Sequence, residues 1–151
     1  MFKHILIPTD GSKLANEAAE AGVQLAKSLG ARVTAFFAAP PATPIVFKAM
    51  IPVGYTSPEE HKEITRKAAE AYLGTVQKAA RAAGVRCETL SVTDDFPADA
   101  ILAAAKKRGC DLIFMGSHGR TGLRRASLLG SQTHKVLSQS PVPVLVFRRR
   151  K

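Results

Sequence analysis

Short unbroken apolar runs alternate along the chain with segments whose apolar residues recur at helical spacing. This alternation limits what the chain can fold into more than any other feature. His4-Ile5-Leu6-Ile7-Pro8 opens the series, and a run without polar alternation fits a strand covered on both faces. Asp10-Gly11-Ser12 then supplies cap and turn chemistry. Ala15, Ala18, Gly22, Leu25, Ala26 and Leu29 repeat at the spacing of a helix that Gly30 ends. Residues 32–38 read as a second strand. Ser57-Pro58-Glu59-Glu60 announces the next helix, with Ser57 as cap, Pro58 first in the helix and Glu60 closing a capping box. Its core stripe runs through Ile64, Ala68, Tyr72, Val76, Ala79 and Ala83 to the stop at Gly84. Residues 85–92 make a third strand. Residues 97–108 make a shorter helix with Ile101, Leu102 and Ala105 facing inward, and residues 111–115 a fourth strand. A last helix starts near Gly130-Ser131 and runs through Val136 and Leu137, followed by a fifth strand over 143–147. The alternation predicts a doubly wound α/β domain spanning 1–151, its sheet mainly parallel, with helices on both faces.

At 151 residues the chain is long enough to bury a substantial core. No apolar run approaches the roughly 18 residues that a bilayer demands. The apolar stretch after Lys3 stops at Pro8-Thr9-Asp10, too soon for a secretion signal. The expectation is a cytoplasmic protein with no membrane partner. Cys87 and Cys110 lie outside any metal-ligand spacing and read as small buried hydrophobes. The formal net charge is +10. Arg148, Arg149, Arg150 and Lys151 read as a solvated tail, while Arg120, Arg124 and Arg125 fall in a glycine-rich segment where phosphate would welcome them. Nucleic acid is the rival explanation for the excess. The chain carries no helix-turn-helix, zinc finger or aromatic-studded basic face, so no nucleic-acid partner is expected.

Ligands of open α/β sheets bind beyond the carboxyl ends of the strands, and two such ends stand out. The first is Pro8-Thr9-Asp10. The second is Met115-Gly116-Ser117-His118-Gly119-Arg120-Thr121, which continues to Gly130-Ser131-Gln132. Glycines let the backbone approach phosphate closely, and N–H groups at a helix start meet anionic oxygens. The segment is not a Walker A loop, a dinucleotide fingerprint or a nucleophile elbow.

Gly116-Ser117-His118-Gly119-Arg120, Leu128-Leu129-Gly130-Ser131, the ending Ser140-Pro141-Val142-Pro143-Val144-Leu145-Val146 and the opening Ile5-Leu6-Ile7-Pro8-Thr9-Asp10-Gly11-Ser12 together resemble the universal stress protein family. The resemblance covers the whole chain in order. It implies a five-stranded parallel sheet of order 3-2-1-4-5, and ATP, with or without Mg²⁺, as ligand. By motif it places the phosphate and ribose contacts on Gly116, Ser117, His118, Gly119, Arg120, Thr121, Gly130, Ser131 and Gln132. Pro8, Thr9, Asp10 and Met115 match positions beside the nucleotide, and Ala38 the position offered to adenine. It also implies a two-fold homodimer through the last strand, over 142–147, which starts at Val142 and ends at Phe147. Ten residues separate Gly119 from Gly130 here, where the family's ATP-binding motif has nine. Either the extra residue bulges near Arg124–Ser127, or it rotates the following helix start and carries Ser131 away from the phosphates.

Several residues have plain structural readings beside functional ones. Asp10 contacts a ribose or metal, caps the first helix, or does both. Ser117 and His118 are adjacent and so are not expected to face each other as a catalytic pair. His4, His61 and His134 read as structural or exposed. Asp94 and Asp95 read as helix-start electrostatics, and Ser12 as a helix-start residue. No catalytic residue and no protein-held metal is expected. The leading reading is a nucleotide-binding regulatory or stress-response protein without efficient turnover. The alternatives are a slow ATPase or nucleotide-transferring enzyme in the same pocket, and a dimer acting through protein contacts alone. Residues 40–56 are expected to order on ligand binding.

Overall fold

The computed structural model describes residues 1–42, 56–120 and 129–150. Ile5, Leu6 and Ile7 of β1 (His4–Pro8) are wholly buried. Their alternation is real but two-sided, with Ile5 and Ile7 entering one core and Leu6 the other. A strand sealed on both faces belongs at the centre of a sheet, and β1 occupies that position. It pairs in parallel with β2 (Arg32–Ala39) on one side and with β4 (Leu112–Gly116) on the other. β3 (Cys87–Thr93) extends the sheet beyond β2, and β5 (Val144–Phe147) beyond β4. The result is a five-stranded parallel sheet of order β3-β2-β1-β4-β5, as the resemblance implied.

Four helices cover the two faces. α1 (Lys13–Leu29) and α2 (Pro58–Ala83) enclose the core that holds Ile5, Ile7, Val33, Ala35 and Phe114. α3 (Pro97–Arg108) and α4 (Ser131–Gln139) enclose the core that holds Leu6, Phe36, Ile113 and Met115. α1 presents mostly alanines to the sheet, so its backbone comes close. A Cβ at Gly22 would stand 2.8 Å from Ile7 Cδ1 and 3.0 Å from Phe114 Cδ1. Ser57 forms the expected capping box with Glu60, and α1, α2 and α3 all end on left-handed glycines. No helix among the described residues is long and apolar enough to cross a membrane.

The length of α2 shapes the site. Its 26 residues span about 39 Å, whereas the 8 residues of β2 span about 26 Å. Gly84 docks its end flush with the start of β3 through Val85 N–H donating to the Ala80 carbonyl at 2.8 Å. The surplus therefore overhangs the opposite, carboxyl edge of the sheet. Ile64 lies on that overhang and is 56% exposed, so it does not belong to the core stripe assigned to it. Leu137 is exposed as well, because α4 turns Thr133 and Val136 inward instead. Leu102 is only half-buried. Cys110 is buried, and burial pushes its thiol up to about 11. Cys87 is half-buried at the edge of the first core.

The C-terminal segment is not simply solvated. Arg149 donates to the Glu17 carboxylate of α1 through Nε at 2.9 Å and through a second nitrogen. Most of the 40–56 segment and residues Arg124, Arg125, Ala126 and Ser127 lie outside the described residues.

Candidate nucleotide site

The chain leaves β1 toward α1 on one face and leaves β4 toward α4 on the other. The diverging connections open a crevice at the carboxyl edge, where the strand order reverses. A cavity of about 680 Å³ fills it. Pro8, Thr9 and Asp10 line the cavity from the end of β1. Thr9 N–H donates to the Phe36 carbonyl at 2.8 Å, and Thr9 Oγ1 accepts from Gly11 N–H at 3.2 Å. Asp10 does not cap α1. Ser12 does, accepting from Ala15 N–H at 3.2 Å. Asp10 Oδ1 accepts from Ser12 N–H at 2.9 Å, closing the turn ahead of the cap. Its Oδ2 reaches across the crevice to accept from Arg120 N–H at 2.8 Å, so the two strand-end segments are joined.

The second segment is held by its backbone. Ser117 N–H donates to the Phe147 carbonyl at 2.9 Å, extending the β4–β5 ladder by one step. Gly130 N–H donates to the Ser117 carbonyl at 2.8 Å, and Thr133 Oγ1 donates to the Gly116 carbonyl at 2.9 Å. These bonds seat the start of α4 directly on the end of β4. Gly116, His118, Gly119, Arg120, Gly130 and Ser131 consequently line the same cavity, despite the ten-residue spacing. The start of α4 thus stays at the crevice. Two of the glycines stand at close approaches. A Cβ at Gly119 would lie 2.4 Å from Asp10 Oδ2, and one at Gly130 would lie 3.0 Å from His118 Cα. Gly130 is also the N-cap of α4, and it brings no side chain to satisfy the first N–H groups of that helix.

Ala38 and Met115 line the cavity with Phe36 and Ile101, giving it an apolar wall. Gln132 lines it too, but its Oε1 accepts from Ala98 N–H at 2.9 Å. That bond caps α3, whose N-cap Phe96 offers no side-chain acceptor. Asp94 instead accepts from Phe96 N–H within the preceding turn, at 2.8 Å. Ser117 is buried and is not among the lining residues. Its Oγ meets His118 Nδ1 at 3.2 Å, so the adjacent pair does face itself, contrary to the sequence expectation. The turn after β4 swings the two side chains together. Thr121 lies outside the described residues.

Among the lining residues that the sequence reading missed are His61 and Ile64 on the overhang of α2 and Tyr72 farther along the same helix. His61 Nε2 lies 2.9 Å from the Pro40 carbonyl. The Tyr72 ring packs edge-on against Phe37 at 5.2 Å and covers Gly11 so closely that a Cβ there would lie 2.2 Å from it. The Arg120 guanidinium sits 5.0 Å over the same ring and donates to the Tyr72 hydroxyl. Among the described residues, no three histidine, cysteine or acidic side chains gather as a metal site.

The sequence profile of the Universal stress protein family matches residues 1–148. Universal stress protein MJ0531 of Methanocaldococcus jannaschii is 35% identical over 151 residues, covering 100% of this chain and 85% of that protein. The solved structure of MJ0577 from the same organism has 28% identity and a TM-score of 0.71, covering 100% of this chain and 99% of that one. A universal stress protein solved in complex with cAMP superposes with a TM-score of 0.72 at 23% identity, covering 99% of each chain, a likeness of fold. The profile match across nearly the whole length, the MJ0531 identity and the shared strand order lead to one conclusion: this chain belongs to the universal stress protein family.

Proposed function

We propose that the cavity holds an adenine nucleotide, ATP with or without Mg²⁺, as a regulatory ligand of a stress-response protein. One observation carries this reading. Gly116, Gly119 and the uncapped start of α4 at Gly130 and Ser131 converge on one crevice with Asp10. Backbone N–H groups at a helix start, with no side chain in the way, suit phosphate oxygens. The wall of Ala38, Met115, Phe36 and Ile101 suits a purine ring. The fold relative in complex with cAMP agrees with the choice of adenine. Mg²⁺ characteristically takes one or two carboxylates plus the ligand's own phosphates, and Asp10 is the carboxylate in reach of this crevice. Efficient hydrolysis needs a group to orient water. Asp10 already accepts two backbone N–H bonds, and His118 Nδ1 is turned to Ser117, which favours a bound ligand over rapid turnover.

Thermal unfolding with ATP, AMP and cAMP tests the reading. At a free concentration of 100 times Kd, a ligand stabilises by about 2.7 kcal/mol. For a chain of this size that raises Tm by roughly 5–11 °C. Gly119→Val and Gly130→Val should both lose the shift. A wild-type Tm unmoved by all three nucleotides, with Mg²⁺ present, would sink the proposal. We also propose a homodimer through β5, an edge strand whose Leu145 is 39% exposed. Light scattering should give twice the chain mass, and Leu145→Lys should halve it.

A further inference from the structure

Charge is segregated between the two ends of the sheet, and we propose that the amino end is a docking surface for the phosphate backbone of double-stranded nucleic acid. Four helix-to-strand turns build this end, and three of them pass through a left-handed glycine, Gly30, Gly84 and Gly109; the fourth, residues 140–143 between α4 and β5, carries neither glycine nor cation. The first two repeat one pattern, a cation three residues before the glycine and an arginine two residues after it. Lys27 and Arg32 flank Gly30, and Arg81 and Arg86 flank Gly84. The third turn carries Lys106, Lys107 and Arg108 before Gly109, with Asp111 where the arginine would be. Lys3 precedes β1. These eight cations face two carboxylates, Glu88 and Asp111, a net of +6 at one end of a chain whose formal charge is +10.

Neither carboxylate neutralises the surface. Asp111 accepts from Lys3 N–H at 2.8 Å and His4 N–H at 3.0 Å. Glu88 pairs loosely with Arg86 at 3.4 Å and Arg108 at 3.6 Å. Among the described residues no carboxylate pairs with Lys3, Lys27, Arg32, Arg81, Lys106 or Lys107. All six are exposed.

Helix dipoles account for part of this, since cations favour the last turn of a helix. They do not account for Lys3, Arg32 and Arg86, which stand at the starts of strands. Those three sit on successive strands: Arg32 N–H donates to the Lys3 carbonyl at 3.0 Å, and Val33 N–H to the Arg86 carbonyl at 2.8 Å. Arg32 and Arg86 stand level, each one residue before the Val33–Cys87 pair and about 4.8 Å apart, while Lys3 stands one residue before His4, the partner of Arg32; the end of α1 and α2 flanks them on one face and the end of α3 on the other. Like charges so placed repel unless an anion lies over them.

The chemistry selects the kind of anion. Among the described residues the large exposed apolar side chains are Met1, Ile64, Phe96, Leu137 and Leu145: Ile64 and Phe96 stand toward the carboxyl edge and Leu145 within β5, which leaves Met1 and Leu137, on separate elements, toward the amino end. A membrane-binding face inserts apolar side chains between headgroups, and a single-strand binder stacks bases on aromatics. Cations alone suit a duplex, whose phosphates present a regular, sequence-independent charge array. No nucleic-acid partner is expected from a sequence that lacks a base-reading motif; this docking departs from that expectation, because a contact made to phosphates alone requires none.

Fluorescence anisotropy with a labelled DNA duplex of about 20 base pairs tests the proposal, two helical turns being enough to cover this end. Binding should weaken on the order of 10²-fold as monovalent salt rises from about 50 to about 200 mM, as for roughly four phosphates neutralised. It should be indifferent to duplex sequence. The quadruple variant Lys27→Gln, Arg32→Gln, Arg81→Gln, Arg86→Gln should weaken binding at about 50 mM salt by on the order of 10²-fold or more, and any binding left should show almost no salt dependence. All four side chains are exposed, and circular dichroism with the melting curve verifies that the variant folds. Lys62→Gln with Lys67→Gln, on the overhang of α2, should bind like wild type. Three results would overturn the proposal: no duplex binding at about 50 mM salt, loss that follows removal of residues 148–151 and spares the quadruple variant, or tighter binding to vesicles of anionic phospholipid than to duplex.

Discussion

The two edges of the sheet are built from the same kinds of element in opposite ways. At the amino edge α1, α2 and α3 each close on a left-handed glycine whose N–H bonds back into the last turn, and two or three residues later the next strand begins; α4 closes on Ser140, whose N–H donates to the Val136 carbonyl. Backbone groups there are spent internally. At the carboxyl edge Gly130 leaves the first N–H groups of α4 without a side-chain cap, and α3 borrows its cap from Gln132 on a different helix. The capped edge holds the molecule together. The edge with unspent donors is where a ligand can supply what the fold has left out.

Substitutions can break this division at either edge. The largest expected effect is on the core beneath the amino edge. Ile5 is fully buried between Val33 and Leu112, and Ile5→Ala should destabilise by about 2–5 kcal/mol. Urea unfolding should register the loss, while nucleotide affinity per folded molecule stays as in wild type. A matching loss of affinity would mean that the edges are not independent.

A pair of glycines sharpens the comparison. Gly109 has φ +66° with nothing within 4 Å of a built Cβ, so Gly109→Ala meets backbone strain alone. It should cost about 1–2 kcal/mol and leave ligand-induced stabilisation intact. Gly119→Ala meets Asp10 Oδ2 instead. It should barely move the unliganded Tm yet diminish the nucleotide shift. If both variants behave alike in calorimetry with and without ATP, the division fails.

The smallest effect concerns protons. His4 is buried at the amino edge, its Nε2 2.7 Å from Thr34 Oγ1 and its Nδ1 without a partner. Burial, then the Arg32 charge, lower its pKa from the ordinary value. The folded chain therefore prefers the neutral ring. Stability from this group is complete above about pH 6.5 and declines as pH falls below it, because the unfolded chain takes up the proton first. For Asp111, burial opposes ionisation, but the N–H groups of His4 and Lys3 outweigh it and hold the carboxyl below its ordinary range. That contribution is lost only at more acid pH. Unfolding free energies between pH 8 and 5 should slope less in His4→Leu than in wild type, and equal slopes would refute the assignment.

Much of this was legible beforehand, for reasons that differ by element. β1 announced itself because a strand sealed on two faces needs three consecutive apolar residues, Ile5, Leu6 and Ile7. α2 announced its start through Ser57 and Glu60, because capping is local chemistry. Its stripe held at Tyr72, which packs against the core, and misled at Ile64, because helical spacing says which side faces inward but not how far the helix outruns the sheet beneath it. The glycines at 116, 119 and 130 were legible as a group. Their mutual placement was not, since the Gly130 N–H bond to Ser117 spans a loop whose length alone left two outcomes open. Ser117 meeting His118 and Gln132 capping α3 depend on turn geometry and on a contact between helices, neither of which leaves a periodic trace.

The central place of β1 has a consequence for how the chain reaches its fold. One side of this strand pairs with β2, which follows closely in sequence. The other must wait for β4, and the bonds from Lys3 and His4 to Asp111 span separations of 108 and 107 residues. During synthesis β3, β2, β1 and the helices α1 and α2 emerge first. Until residues 112–116 leave the ribosome, β1, whose Ile5, Leu6 and Ile7 are wholly buried in the finished fold, is an open edge. Closing so long a loop is slow, and an unpaired apolar edge is a template for association with other chains. The interval between translation of α2 and of β4 is thus the period in which this edge is open to association, and pausing the ribosome before residue 112 should lengthen it.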